Sequence, residues 1–382
     1  MRKPMQKTMP WMISALIGAI VASGLMWLVS SVFFPTANKT TATYQSVESP
    51  QPLSFARAIN GVAPAVVSFY TTAAVEPQFP LENLPGSSGL PQPFEQDQHP
   101  NSAKQAVTSL GSGVILHPDG YLITNHHVIA NAQDIRAILY DGRDVQAEVI
   151  GHDPDTDLAV LKIEADKLPS VKIASEKNIQ VGDLVLAIGY PYGLGQAVSM
   201  GIVSALGRSG LNLSTFEDYI QTDAAINRGS SGGALVNSEG ALVGISTAIL
   251  TESGGSQGIG FAIPAYSARK VMAALIEDGR VKRGWLGILP ARLRPDEAAA
   301  LGLGPQVGIR IKTVAKDTPA SIAGLEVDDI IMKVGNKVVG NEYQALKAVS
   351  SQPPGTRIKL EILRGKNTLL FEVEVAERPQ SD

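Results

Sequence analysis

Cysteine is absent from the 382-residue chain, which excludes disulfides, thiolate metal sites and a cysteine nucleophile. A strong charge of one sign is also lacking, because the formal net charge is -4. Electrostatics therefore give no reason to expect nucleic acid as a partner. Aromatic residues make up only 5% of the chain, whereas glycine (37) and proline (24) are plentiful. This composition predicts many short strands joined by turns, and we expect neither a cofactor nor a metal.

The N-terminus carries an uncharged apolar run over residues 11–34, preceded by Arg2, Lys3 and Lys7. At helical rise the run spans about 36 Å, enough to cross a hydrocarbon core of roughly 30 Å. We predict a cytoplasmic tip over 1–10 and a single transmembrane helix over 11–34. The positive-inside rule then places the rest in the periplasm, if the membrane is a bacterial inner membrane. A signal peptide cleaved near residues 22–24 is the alternative.

The rest of the chain is predicted to form a linker followed by two domains. Residues 35–52 are polar and contain proline, as in a linker. From 53 to 279, short β-branched runs separated by turns predict antiparallel sheets closed as barrels, with a helix at 266–278 that ends before Gly279. The Pro- and Gly-containing stretch 76–105 is predicted to be a functional loop. Residues 283–377 form a second β-rich unit, with a helix over 342–351, so the fold is dominated by β structure.

The stretch NRGSSGGAL, residues 227–235, places two serines among glycines. Strand-like sequence on both sides argues against a linker, and a phosphate loop would need Lys-Ser/Thr and a following helix. A Gly-x-Ser-x-Gly turn instead presents a hydroxyl beside backbone N–H groups that can stabilise an oxyanion. The residues alone do not choose between Ser230 and Ser231 as nucleophile.

All five histidines precede this stretch, at His99, His117, His126, His127 and His152. A histidine base normally follows the serine in α/β-hydrolases, so that family is excluded. The orders His-Asp-Ser and Asp-His-Ser remain, and the all-β pattern favours the first. Asp157 stands directly before a buried-looking strand, where it is either an ordinary turn residue or the group that orients the base.

Several segments together resemble the HtrA/Deg family of serine proteases over roughly residues 53–377. They are YLITNHHV (121–128), TDLAVLKI (156–163), AIGYPYG (187–193), QTDAAIN (221–227), GSSGGALVN (229–237) and GIGFAIP (258–264). The resemblance implies a chymotrypsin-like double β-barrel followed by one PDZ domain.

Carried over by motif, the resemblance assigns the general base to His127, the orienting acid to Asp157 and the nucleophile to Ser231. The N–H groups of Gly229 and Ser231 would form the oxyanion hole. The chain departs from the family at Ser230, where asparagine is usual. Since that residue contributes mainly backbone to the turn, we expect little effect on the chemistry.

In chymotrypsin-like folds the floor of the primary specificity pocket lies about six residues before the nucleophile. That position is Ala225, with Ile226 beside it. An apolar pocket of this kind would accept small aliphatic residues such as Val or Ala. Asp223 would act as a trypsin-like floor only if the register were shifted by two residues.

The C-terminal unit resembles a PDZ domain of the HtrA type in three segments: GWLGI (284–288), TPASIAGL (318–325) and DDIIMKVGN (328–336). PDZ domains bind an extended peptide as an added strand and its carboxylate through backbone N–H groups. The residues that match the carboxylate loop are Trp285, Leu286, Gly287 and Ile288. Trp285 is alternatively an ordinary core aromatic.

One anchor, one protease and one PDZ domain are most similar to the membrane-anchored DegS type of the family. This resemblance implies a homotrimeric stress-response protease of the inner membrane. C-terminal peptides of misfolded outer-membrane proteins would bind the PDZ domain and allow cleavage of a membrane anti-sigma factor. The loop 211–219, which holds Glu217 and Asp218 but no arginine, is the candidate sensor of the PDZ domain. A general quality-control protease or chaperone and an inactive peptide-binding scaffold are the alternatives.

Overall fold

The computed structural model describes residues 54–74, 106–175, 179–249, 255–304 and 307–379, together with Gly24 and Met26. The predicted cytoplasmic tip, linker and loop 76–105 lie outside these residues. So does the predicted transmembrane helix, except for Gly24 and Met26, which are helical. Among the described residues, no helix combines the length and apolar character needed to cross a bilayer.

The first barrel is a closed antiparallel sheet with strand order β1-β2-β3-β6-β5-β4. Its strands are β1 Val66–Ala74, β2 Ala106–Ile115, β3 Tyr121–Thr124, β4 Asp134–Ile138, β5 Asp144–Asp153 and β6 Leu158–Ile163. Inward side chains such as Phe69, Leu122 and Leu161 are completely buried. Burial alternates along β4, as expected for a strand with one face on the core.

The second barrel is closed in the order β10-β11-β12-β9-β8-β7. Its strands are β7 Leu184–Gly189, β8 Ala197–Arg208, β9 Tyr219–Thr222, β10 Ala234–Asn237, β11 Leu242–Ile249 and β12 Gly260–Pro264. The apolar side chains of the two barrels meet: Leu186 and Ile245 of the second pack in one cluster with Phe69 of the first. The chymotrypsin-like double barrel predicted from the resemblance is therefore confirmed.

Within the described residues, three helices accompany the barrels: α1 Ala56–Val62, α2 His126–Ile129 and α3 Ala265–Asp278. Short 3-10 turns occupy Ala63–Ala65 and Pro191–Gly193. Helix α3 begins one residue before the predicted 266 and ends at Asp278, followed by Gly279, whose φ of 70° gives a left-handed cap. The Gly279 N–H donates to Leu275 O at 3.1 Å. The buried face of α3 packs on β5, β6 and β11.

The C-terminal unit has its own buried core, which includes Ile309, Leu360 and Val373. Its main sheet has the order β14-β15-β16-β18-β19, with β17 paired to β16, and β13 pairs separately with β20. The elements are β13 Gly284–Trp285, β14 Ile288–Arg292, α4 Pro295–Ala300, β15 Ile309–Val314, α5 Pro319–Ile322, β16 Ile330–Val334, β17 Lys337–Val338, α6 Glu342–Ser350, β18 Arg357–Arg364, β19 Asn367–Glu374 and β20 Ala376–Glu377. Strand β14 is an edge, open to an added strand.

A buried ion pair joins the barrels to the C-terminal unit. Arg283 donates to both carboxylate oxygens of Asp153, at 2.8 and 2.5 Å, and the two side chains are only 10% and 6% exposed. The guanidinium of Arg283 lies 4.5 Å from the ring centre of Phe216, and that of Arg378 lies 5.4 Å from it. Phe216 is thus in contact with two cations.

We predict that Arg283→Ala lowers the free energy of unfolding by about 3–5 kcal/mol, because it leaves the buried Asp153 carboxylate without its partner. Urea unfolding followed by fluorescence measures the change. Arg294→Ala is the matched control, since that arginine pairs with Asp296 where both side chains are about 70% exposed, and an exposed pair of this kind contributes little to stability. Equal effects of the two substitutions would contradict this view of the junction.

Candidate active site

Asp157 is held in place by the backbone of the first barrel. It stands in the turn between β5 and β6 with a φ of 57°, a left-handed conformation that is uncommon outside glycine. Its carbonyl oxygen accepts hydrogen bonds from the Asn125 side chain at 2.9 Å and from the His126 N–H at 3.1 Å. Asn125 is completely buried. The start of α2 and the turn before β6 are therefore fixed to each other.

The carboxylate of Asp157 binds His127 and Thr247. His127 donates from its backbone N–H to Oδ1 at 3.0 Å and from Nδ1 to Oδ2 at 2.8 Å, and the Thr247 hydroxyl donates to Oδ2 at 2.9 Å. Burial by itself raises the pKa of Asp157, but the bonds and charge of His127 and the bond from Thr247 outweigh it and lower the pKa below its usual value. The carboxylate is thus ionised near neutral pH and orients Nδ1 of His127.

Ser231 lies in the turn before β10 and is partly exposed. Its hydroxyl donates to the carbonyl oxygen of Thr247 at 3.1 Å. In the part of the chain that the structure describes, no hydrogen bond joins Ser231 Oγ to His127. Thr247 therefore contacts both the acid and the serine, through its hydroxyl and its carbonyl. Ser230, by contrast, is 8% exposed and buried.

Two glycines allow the serine turn to pack closely. Gly232 has a φ of 83°, and a Cβ there would lie 2.0 Å from Ser112 O; Gly229 has a φ of 95°, and a Cβ there would lie 2.5 Å from Tyr190 O. The Ser112 hydroxyl donates to Gly229 O at 2.7 Å and accepts from the Tyr190 N–H at 3.0 Å. Ser112 thus fastens the turn to the first barrel.

The backbone conformation at the start of the turn decides whether the N–H groups of the predicted oxyanion hole are free to bind an oxyanion. The Arg228 carbonyl accepts a hydrogen bond from Tyr192 N at 2.9 Å. In a trans peptide the C=O and N–H point in opposite directions, so the N–H of Gly229 faces away from Tyr192. Across the described residues, neither this N–H nor that of Ser231 donates to a backbone carbonyl. Both donors are free of backbone partners.

The predicted specificity residues differ in their surroundings. Ala225 is exposed, and its carbonyl accepts from the Ser199 hydroxyl at 2.7 Å. Ile226 is 1% exposed and packs in the core of the second barrel. Asp223 accepts the Ile202 N–H at 2.7 Å and so serves the backbone of β8. An apolar pocket at Ala225 stays a prediction.

The predicted carboxylate loop lies at the start of the C-terminal unit, between β13 and β14. Leu286 is buried in the unit's core, and its carbonyl accepts from Ala320 N at 2.9 Å. Gly287 has a φ of 80°, and a Cβ there would lie 2.3 Å from Thr318 Cβ. Trp285 and Ile288 line a groove beside β14. Trp285 is thus part of the groove wall and does not belong to the buried core cluster.

The other histidines are not part of this arrangement. His117 is exposed beside Asp119, and His99 lies outside the described residues. His126 stacks on His152, whereas the Asp157 carboxylate bonds to His127. The motif predicts His127 and not His126 as the base, and His127 is the histidine whose side chain contacts the Asp157 carboxylate.

Sequence reasoning missed Thr247 and Ser112. Both are small hydroxyl residues inside strands, β11 and β2, where serine and threonine are common, and neither belongs to a segment that carried the resemblance. The only available signal was that Thr247 follows another polar residue, Ser246, in an otherwise apolar strand. Their contacts span 90 residues to Asp157 and 117 residues to Gly229, so no local spacing reveals them.

Comparison with known proteins matches two family models, a trypsin-like peptidase domain over residues 111–245 and a PDZ domain over 284–375. The periplasmic serine endoprotease DegP of Salmonella typhimurium is 39% identical over 93% of this chain and 78% of that protein. The periplasmic pH-dependent serine endoprotease DegQ of Escherichia coli is 41% identical over 91% and 77%. The chain belongs to the HtrA/Deg family of serine proteases.

Solved structures agree with this membership. The HtrA-type protease AlgW with decapeptide is 43% identical, with a TM-score of 0.72 over 86% of this chain and all of that one. The serine endoprotease from Yersinia pestis is 39% identical, with a TM-score of 0.62 over 85% of this chain and 98% of that one. The protein is therefore a serine endoprotease with a trypsin-like double barrel and one PDZ domain.

We predict that Thr247→Val lowers kcat roughly 10- to 100-fold with little change in KM, because the orientation of Asp157 and His127 loses one of its bonds. Steady-state cleavage of a fluorogenic peptide measures both constants. Ser246→Ala is the matched control, since the buried Ser246 hydroxyl has no hydrogen-bond partner among the described residues. A kcat in Thr247→Val equal to that of the control would show that the Thr247 bond is not needed.

Proposed function

We propose that Ser231, His127 and Asp157 form the catalytic triad of this endoprotease. Ser231 attacks the scissile carbonyl, His127 removes the hydroxyl proton and later protonates the leaving amine, and Asp157 orients and stabilises the imidazolium. The N–H groups of Gly229 and Ser231 stabilise the tetrahedral oxyanion. The bidentate contact between His127 and Asp157, at 3.0 and 2.8 Å, carries this proposal. An apolar pocket at Ala225 selects small aliphatic residues.

Ser231→Ala is expected to reduce kcat by about 10⁶-fold, as expected for loss of a serine nucleophile. Ser230→Ala should retain activity within about tenfold, because Ser230 is buried in the turn and contributes mainly backbone. Cleavage of casein, read by gel and by fluorescence, measures both. Activity that survives in Ser231→Ala but disappears in Ser230→Ala would reverse the assignment.

We further propose that the protein is a periplasmic sensor protease of the envelope stress response. It is anchored in the inner membrane by residues 11–34 and works as a homotrimer. C-terminal peptides of misfolded outer-membrane proteins bind its PDZ groove, and the protease then cleaves a membrane anti-sigma factor. The curated relatives named above are periplasmic, and AlgW structures contain a tripeptide or a decapeptide.

The groove supports a link between peptide binding and the protease. It encloses about 900 Å³ between the free edge of β14 and helix α6. One wall is the loop 209–217 of the second barrel, so a peptide in the groove would lie within reach of the protease. The lining includes Trp285, Ile288, Leu289, Tyr343, Leu346, Asn212, Ser214, Thr215 and Glu217. This shared groove is the observation that favours a sensor.

Asp218 connects the same loop to α6. Its carboxylate accepts hydrogen bonds from Lys347 of α6 and, at 2.5 Å, from Tyr266 of α3, and Tyr343 of α6 lies beside it. Burial, and then the charge of Asp218, raise the pKa of Tyr343, so the phenol stays a donor. Glu217 turns inward instead and accepts the N–H groups of its own loop. We call Asp218, Lys347, Tyr343 and Tyr266 the α6 latch.

The orientation of Ser231 agrees with a resting state. Its hydroxyl donates to Thr247 O, so it must rotate before His127 can take its proton. We propose that the α6 latch keeps the loop 211–219 in the conformation that goes with this resting serine. A peptide that binds between β14 and α6 releases the latch and shifts the population toward the active form, provided that it prefers that form.

A peptide with an apolar C-terminus is expected to raise the rate of cleavage at least about tenfold, because differential binding of this size is needed to shift a mostly resting population. The assay compares casein cleavage by the full chain with and without the peptide, and with a C-terminally amidated peptide as control. Constitutive digestion of casein, unchanged by the peptide, would instead indicate a general quality-control protease. No cleavage under any condition would indicate a peptide-binding scaffold.

Lys347→Met is expected to raise the basal rate several-fold and to reduce the further gain with peptide, because the latch loses its only cation. Lys333→Met is the matched control, since Lys333 pairs with Glu361 on the sheet of the same unit. Rates with saturating peptide should agree among the three proteins. A basal rate in Lys347→Met no higher than that of the Lys333→Met control would show that the α6 latch does not hold the protease in its resting state.

A further inference from the structure

Two histidines outside the proposed triad stack beside Asp157. The ring centres of His126 and His152 lie 4.8 Å apart and their planes differ by 21°. His126 begins α2, the helix that also contains His127. His152 lies in β5, where it pairs with Ala159 of β6. The stack therefore fastens the helix that holds the proposed base to the strands that hold the proposed acid.

The ring of His126 is poorly placed for a positive charge. Its Nδ1 is buried and has no hydrogen-bond partner within the described residues. A neutral imidazole leaves one nitrogen as an acceptor, whereas the protonated ring has an N–H on both nitrogens. Protonation would thus make Nδ1 of His126 a charged donor without an acceptor, and a buried unsatisfied donor is unfavourable. The same residue's backbone N–H donates to Asp157 O.

The charged groups around His126 come from three elements: His127 from α2, His152 and Asp153 from β5, and Asp157 from the following turn. Both carboxylates already have partners, because Asp153 binds Arg283 and Asp157 binds His127. They raise the pKa of His126, but burial and then the charge of His152 outweigh them and lower it. Two protonated rings at stacking distance would also repel each other.

We propose that the His126–His152 stack is a positioning element for the His127–Asp157 pair that holds only while both rings are neutral. Acidification then separates the rings, moves the start of α2 away from the turn of Asp157, and lowers kcat through a proton that does not reside on His127. The proposal rests on the triad proposed above. It makes this protease lose activity on acidification more steeply than a single base requires.

The test is the pH dependence of kcat for the full chain, with saturating substrate and peptide. Below the relevant pKa values, one proton lowers kcat by about tenfold per pH unit and two protons by about 100-fold. We expect the native protein to show the steeper slope and the double variant His126→Phe/His152→Phe, which keeps both aromatic rings but can protonate neither, to show the shallower one. His117→Phe is the matched control and should retain the native slope, because His117 is exposed beside Asp119.

Ring-proton NMR titration of the full chain carrying Ser231→Ala gives an independent reading that does not depend on catalysis. We expect the ring-proton signals of His126 to shift in the pH range where kcat falls. Identical slopes in the double variant and the native protein, or a His126 signal that does not shift in that range, would overturn the proposal. Failure of the triad itself would show differently, as activity that survives in Ser231→Ala.

Discussion

The hydrogen bonds of Asp157 are the constraint on which the rest of the structure depends. Its carbonyl holds the start of α2, and its carboxylate receives His127 from the first barrel and Thr247 from the second. Because the bonds come from both barrels, the serine turn and the base are placed relative to each other through one side chain. The left-handed φ of 57° is maintained by these contacts.

The same residue lies next to the junction with the PDZ domain. Asp153, four residues earlier, forms the buried pair with Arg283, and the N–H of Phe216 donates to Asp155 O at 2.9 Å. Loop 211–219 therefore touches the turn before Asp157 through Phe216, and Asp218 of the same loop reaches α6. A continuous set of contacts therefore runs from the groove to the turn that holds the acid.

The two barrels, helix α3 and the proposed catalytic residues could be predicted from the sequence, because each depends on residues that are close together in the chain. The barrels follow from short β-branched runs between turns, and helix α3 from apolar spacing that ends at Gly279. His127, Asp157 and Ser231 lie in segments whose local spacing is distinctive. By contrast, Thr247, Ser112 and the Asp218–Lys347 contact join positions 90 to 129 residues apart, and common polar residues at such separations leave no periodic signal.

The sequence shows His126 and His152 but does not predict that their rings stack on each other. In the sequence His152 stands before Asp153 and Pro154, which are common in turns, and only the pairing of β5 with β6 shows its register opposite Ala159. Glu217 and Asp218 were likewise equivalent acids in one loop. Only the folded loop separates them, since one side chain caps its own backbone and the other binds α6.

The most direct test of the central role of Asp157 is kcat for Asp157→Asn, measured near neutral pH together with the stability of the variant. The amide keeps the size of the side chain and removes the charge that orients His127 Nδ1. We predict that kcat falls by about 10⁴-fold, the magnitude typical of an orienting aspartate, while the protein stays folded. A loss of less than about tenfold would contradict it.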